Sequence, residues 1–174
     1  MSKKAAVFYG RMNPYTRGHH SAVTSITQAA NRTPFVVISH TQNTKKNPFS
    51  AAEKREIIQE IVGNGVSIIA TSKNKPHLHL VLKNLKEMGY NNIEVFLGSN
   101  RIPQFAYLEK NGGVKLVQAG ANRTNKGVSA TKARNAARAG NNKTFANMMP
   151  VTMRANTRQK LLQTIQTRMG PHKK

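Results

Sequence analysis

The chain opens on Ala5-Ala6-Val7-Phe8-Tyr9-Gly10-Arg11-Met12-Asn13-Pro14-Tyr15-Thr16-Arg17-Gly18-His19 and continues into a helix-like segment that runs to Asn31. A short apolar run reads as a buried strand, the Gly/Asn/Pro cluster as a tight turn, and His19–Asn31 as the helix that follows. A strand, a tight turn and a helix opening form a phosphate cradle. Backbone N–H groups and the positive end of the helix attract anions there, and Arg11 and His19 add donors.

Outward from this stretch, strand and helix signals alternate. Phe35–Ser39, Val66–Ala70, Ile93–Leu97 and Val114–Gln118 read as four further strands. Helices are expected from Ser50 to about Val62, over His77–Met88, Arg101–Lys110 and Thr131–Ala139, and last over Thr152–Met169. Ser50 with Glu53 three residues on is a capping box, and Gly63-Asn64-Gly65 ends that helix. Gly140-Asn141-Asn142 reads as a break. Apolar runs separated by 10–15-residue helices predict βαβ units and a parallel sheet. Three polar stretches, Gly10–His19, Ser39–Lys54 and Gly98–Arg101, follow predicted strands directly, where open parallel sheets hold ligands.

The charge is far from balanced. The 174 residues carry 28 Lys+Arg against 6 acids, a net charge of +22, and all six acids are Glu; the chain has no Asp and 18 Asn. Residues 1–52 hold seven cations and no acid, residues 110–174 fourteen and none, and residues 53–109 are nearly neutral. Polyanion contact, nucleic acid first, is one reading; deliberate supercharging and a small-molecule phosphate site on a basic face are the others. The absence of Cys excludes disulfides and thiolate metal sites. No segment is long and apolar enough to span a membrane and no leader is evident, so a soluble, cytoplasmic protein is expected. By length the chain is one domain, with a main body over 1–150 and a closing helix and tail over 151–174.

Two further motifs carry chemistry. The first is Ser39-His40-Thr41-Gln42 followed by Asn47-Pro48-Phe49-Ser50-Ala51-Ala52-Glu53-Lys54. A polar loop before a capped helix lets a cation near the helix start reach phosphate, and Lys45 and Lys46 are extra candidates. The second is Val128-Ser129-Ala130-Thr131-Lys132-Ala133-Arg134. Ser129 and Thr131 can cap a helix and offer hydroxyls to phosphate, while Arg134, one turn on, brings its planar fork to the same place.

Thr16-Arg17-Gly18-His19 and Ser129-Ala130-Thr131-Lys132-Ala133-Arg134 resemble the T/HxGH and S-x-T-x-x-R signatures of the cytidylyltransferase-like nucleotidyltransferases. Over roughly residues 4–150 the order of motifs is most similar to the archaeal-type nicotinamide-nucleotide adenylyltransferases. The resemblance implies a Rossmann-like, doubly wound five-stranded parallel α/β sheet with a C-terminal helical segment. It implies transfer of a nucleotidyl group, adenylyl first, from ATP or CTP to a phosphorylated acceptor such as nicotinamide mononucleotide, with release of pyrophosphate. His19, Thr16 and Arg134 then take catalytic roles, with Thr16 standing where many members have a first histidine. Gly10, Arg11, Met12, Gly18, Lys54, Gly98, Ser99, Asn100, Arg101, Ser129 and Thr131 would hold the nucleotide. His40, Thr41, His77 and His79 are candidates for the acceptor; relatives commonly use a Trp near its ring, and this chain has none. Mg²⁺ would ride on substrate oxygens, with no ligand from the protein. The rival reading is a nucleotidyltransferase fold kept as a basic nucleic-acid-binding or structural protein, for example in a virion or ribonucleoprotein. Assembly into oligomers is left open.

Overall fold

In a computed structural model that describes residues 3–74, 76–98, 101–119 and 128–171, five parallel strands form one sheet in the order β3-β2-β1-β4-β5. They are β1 (Lys3–Gly10), β2 (Thr33–Ile38), β3 (Ser67–Ala70), β4 (Tyr90–Leu97) and β5 (Val114–Gln118). The connecting helices are α1 (Arg17–Thr27), α2 (Ala51–Val62), α3 (Leu78–Glu87) and the short α4 (Ile102–Phe105), which runs on as a 3-10 turn over Ala106–Asn111. Beyond β5 come α5 (Ala130–Arg138), α6 (Asn142–Asn147) and α7 (Ala155–Met169).

Period-two alternation in β1 sets the two layers. Ala5 and Val7 face α3 and the α4 turn, packing with Val81, Leu82, Leu85 and Phe105. Ala6 and Phe8 face α1 and α2, packing with Val23, Ile26 and Ile58. β1 is therefore buried on both faces, which is why it reads as a continuous apolar run. The chain winds from β1 to β2 and β3 in one direction, then crosses to β4 and β5 on the other side. The switch point between β1 and β4 opens a crevice at the carboxyl ends of the strands. The doubly wound sheet expected from the sequence is the one found.

A third cluster lies outside the sheet layers. Phe49 packs with Ala133, Ala137, Phe145, Met149, Leu161 and Ile165, so α5, α6 and α7 stack on the entry to α2. The fork of Arg168 clasps both oxygens of Glu53, at 2.6 and 2.9 Å, and donates to the Pro48 carbonyl, which fastens the end of α7 to the start of α2. The hydrogen bond from Arg168 keeps the Glu53 carboxyl well below its ordinary range. Both side chains are more than one-third exposed, so the ion pair itself contributes at most about 1 kcal/mol.

Boundaries differ from expectation for local reasons. α1 starts at Arg17 because Thr16 caps it, and it stops at Thr27, short of Asn31. The sequence reading has no counterpart to α6: Asn141, read there as a break, accepts from the Thr144 N–H and caps a helix. A cap and a breaker call for the same residue type.

Gly113 meets two demands at once. Its φ is +70°, and a Cβ there would lie 2.5 Å from the Asn91 carbonyl. Gly112, at φ +64°, has open space around it. Gly112→Ala is expected to lower stability by about 1 kcal/mol, the left-handed strain alone. Gly113→Ala should cost at least about twice that, because the clash adds to the strain. Equilibrium urea unfolding of the two variants checks the order.

Candidate functional site

The crevice above the switch point is a cleft of about 790 Å³, a volume that suits a nucleotide-sized ligand. Gly10, Arg11 and Met12 line it from the end of β1, Gly98 and Arg101 from the end of β4, and Ala119 from the end of β5. Two helix N-termini converge on it, α1 through Thr16, Gly18 and His19, and α5 through Ser129, Ala130 and Thr131.

The α1 terminus is a capping box in which histidine takes the place usually held by Glu or Gln. The Thr16 backbone N–H donates to Nδ1 of His19 at 3.0 Å, and the His19 N–H donates back to the Thr16 hydroxyl. Since Nδ1 accepts from a backbone N–H, it carries no proton, and the neutral ring keeps its hydrogen on Nε2. Burial among Phe8 and Tyr15, with Arg101 and Lys54 nearby, pushes the His19 pKa down to about 4. At neutral pH this ring is an uncharged donor that lines the cleft.

Gly18 sits at the second position of α1. A Cβ there would meet only the Thr16 hydroxyl at 3.5 Å and Val128 at 3.9 Å, ordinary contacts. Packing of the protein on itself does not require glycine there, and the missing side chain leaves room beside the helix terminus. Met12, buried and lining the cleft, holds φ at +52° without being glycine. That strain of about 1 kcal/mol is of the kind kept at functional sites.

At the second terminus the Ser129 hydroxyl accepts from the Lys132 N–H at 3.0 Å, and the Thr131 hydroxyl accepts from Arg134 at 3.2 Å. Both oxygens being occupied as acceptors, their own protons are left to donate. Arg134 also donates to the Asn13 carbonyl at 2.7 Å, which ties α5 to the first loop across the chain. Its guanidinium pKa is lowered, by burial first and then by Arg11 and Arg138. Arg101 lies over the rings of Tyr9 and Phe105 at 5.2 and 5.3 Å and is likewise lowered, mainly by burial.

Not every expected residue reaches the cleft. Lys54 is buried beneath it, its ammonium donating to the carbonyls of Arg11 and Ser39. Burial, with Arg11 nearby, lowers its pKa to about 8. Expected as a phosphate ligand, it instead ties the loops after β1 and β2 together. His40 gives its backbone N–H to the Thr71 hydroxyl and pairs its ring with the same oxygen at 2.7 Å, and Thr41 is exposed beside it. His77 and His79 stack on each other at 5.5 Å on the outside of α3, with His79 edge-on to Tyr107. None of these four acceptor candidates lines the cleft. Ser99 and Asn100 lie outside the described residues.

Two residues that the motif reading passed over join the loops. The Asn13 amide donates to the Arg11 carbonyl and to Asn47, while its oxygen accepts from the Phe49 N–H at 2.9 Å. Both asparagines precede a proline, Pro14 and Pro48. That repeated Asn-Pro pair was the available signal.

A family model described as Cytidylyltransferase-like matches residues 7–136. No curated protein matches the sequence. Among solved structures, the nicotinic acid mononucleotide adenylyltransferase of Plasmodium falciparum, complexed with NaAD, superposes with a TM-score of 0.68 at 16% identity, covering 91% of this chain and 95% of that one. A bifunctional NMN adenylyltransferase/ADP ribose pyrophosphatase from Francisella tularensis gives a TM-score of 0.68 at 19% identity, over 97% of this chain and 53% of its own. At these identities the likeness is one of fold. The matched span runs from β1 into α5 and takes in both helix termini of the cleft, and on that match the chain belongs to the cytidylyltransferase-like family.

Proposed function

We propose that the chain is an adenylyltransferase that moves the adenylyl group of ATP onto a phosphorylated nucleotide acceptor and releases pyrophosphate; CTP is the alternative donor. One observation carries this reading above the others: a neutral histidine donor, two helix N-termini and six cations (Arg11, Lys45, Lys46, Arg101, Arg134 and Arg138) border a single cleft. The fold shared with mononucleotide adenylyltransferases supports it.

The chemistry follows from charge. A phosphate oxygen of the acceptor attacks the α-phosphorus of the triphosphate in line. A new P–O bond forms as the bond to the bridging oxygen breaks, and pyrophosphate leaves with that electron pair. No protein atom becomes covalently bound. The barrier is lowered by positioning and by donors aimed at the oxygens that gain charge. His19 gives Nε2–H, Ser129 and Thr131 give hydroxyl protons, and Arg134 and Arg11 offset the departing pyrophosphate. Gly10, Met12, Gly18, Gly98 and Arg101 shape the nucleotide side. The acceptor takes the rest of the cleft, and Lys45, Lys46 and Arg138 add cations within reach of the phosphate chain. His40, Thr41, His77 and His79 are no part of this assignment.

The residues present do not fit a divalent ion held by the protein. Mg²⁺ seeks carboxylate oxygens, and none of the six Glu lines the cleft. In this reading any such ion belongs to the substrates.

The basic surface adds a second property. The chain carries 28 Lys and Arg against six Glu. We infer that this excess of positive charge binds nucleic-acid phosphates without sequence preference alongside catalysis. Retention of both helix-terminus motifs favours an enzyme over a scaffold.

Three outcomes are expected. First, His19→Ala lowers the rate of pyrophosphate release from ATP and nicotinamide mononucleotide by about 10²–10³, as for loss of one charge-stabilising donor, with the far-UV circular dichroism spectrum unchanged. Full activity in this variant removes His19 from the mechanism. Second, the His19 ring in the free protein shows no titration between about pH 5.5 and pH 8 by ¹⁵N NMR, because its folded pKa lies near 4. A midpoint near the ordinary histidine value contradicts the buried neutral donor. Third, affinity for a labelled RNA oligomer falls at least about tenfold between about 50 mM and 200 mM salt; affinity independent of salt excludes the phosphate-backbone contact.

A further inference from the structure

The placement of the acids has a consequence for how a triphosphate is held, one that deepens the adenylyl-transfer reading and rests on it. The sequence offers six side-chain carboxylates in all. Glu53 is clasped by Arg168, Glu60 by Arg154 and the Thr157 hydroxyl, and Glu94 by Arg32. Glu109 accepts from the Leu116 N–H. Glu56 and Glu87 stand exposed on α2 and α3. Every one lies away from the cleft, and the stretches of chain outside the described residues contain no Asp or Glu.

The cations are distributed in the opposite way. Among the described residues six line the cleft, against roughly four negative charges on an ionised triphosphate. They are also crowded: Arg134 is depressed by burial and by Arg11 and Arg138, and Arg101 by burial and by Arg11. Like charges held this close without a counter-ion repel one another, and an incoming polyanion relieves that repulsion. A divalent ion entering with the phosphates would meet six cations and no carboxylate. Its two positive charges cancel part of the attraction that draws the phosphates in.

We infer that the cleft binds the triphosphate chain through its own cations and helix termini, and that the complex needs no divalent ion to form. In most nucleotide sites a metal screens the phosphates. Here arginine and lysine have that task.

Isothermal titration calorimetry on the full chain tests this with three probes: ATP in excess EDTA, ATP in excess Mg²⁺, and inorganic tripolyphosphate in EDTA. The Kd for ATP in EDTA should be tighter than in Mg²⁺, or within about threefold of it. A double variant on the exposed loop, Lys45→Gln with Lys46→Gln, should weaken ATP binding in EDTA by about fivefold or more, and in Mg²⁺ by less. Binding of ATP that is tenfold or more weaker in EDTA overturns the inference and leaves the adenylyl-transfer reading standing. Metal-free binding of tripolyphosphate without ATP binding in either buffer removes the nucleotide reading, and the inference with it. No binding of either probe in EDTA also overturns the inference.

Discussion

A single buried ammonium holds the floor of this cleft. Lys54 enters from the first turn of α2 and donates to carbonyls that follow β1 and β2. Those two loops bring in Arg11 and Asn13 on one side and the run to Asn47 on the other. Without Lys54 the buried Ser39 carbonyl would lose this donor, at a cost of about 1–3 kcal/mol, and the Arg11 carbonyl would be left to the Asn13 amide. Asn13 repeats the device one layer up, with its amide joining the loops and its carbonyl receiving Arg134. The three motifs, far apart in the chain, are cross-linked by backbone carbonyls before any ligand arrives.

This explains why basic groups can crowd so closely. A lysine buried in apolar surroundings would lose its proton; here two carbonyl dipoles favour the charged form, while burial and Arg11 still draw its pKa down to about 8. His19 resolves the same conflict differently, by staying neutral and anchoring Nδ1 on the Thr16 N–H. A charged ring there would add to the repulsion from Arg101 and Lys54. A neutral one keeps a directed proton at no electrostatic cost. Charge and hydrogen bonding are thus shared out among neighbouring residues.

Much of this was legible in the sequence, and what was not has identifiable causes. The strands declared themselves because parallel strands buried on two faces are apolar throughout. The helix starts at Ser50 and Ser129 were local signals, written within three residues of each cap, whereas the start at Thr16 was hidden by a histidine in the place of the usual Glu or Gln. The side chains that meet across the chain were not legible. Lys54 stands beside a capping box, where a phosphate ligand is a fair expectation; that its ammonium turns inward depends on Ser39, fifteen residues away. His40 read as an acceptor candidate, but Thr71, just past the end of β3, pairs with its ring. His77 and His79 face outward because Leu78, Val81, Leu82 and Leu85 decide which side of α3 is buried. Periodicity gives that face, but it does not say that the cleft lies elsewhere.

Arg138 reaches from α5 to the carbonyls of Gly170 and Pro171, and Met169 forms part of the cleft wall. The segment that follows α7 is thus fastened at the rim. During synthesis the βαβ units of the sheet can pair as they emerge, since domains form from the N-terminus onward. The cleft wall has to wait for α7. A nascent chain that has already built the phosphate loop between β1 and α1 still presents an unwalled crevice, its arginines open to whatever polyanion is near, the ribosomal RNA included. Closure of the rim by α7 turns that open basic face into a cleft of defined size.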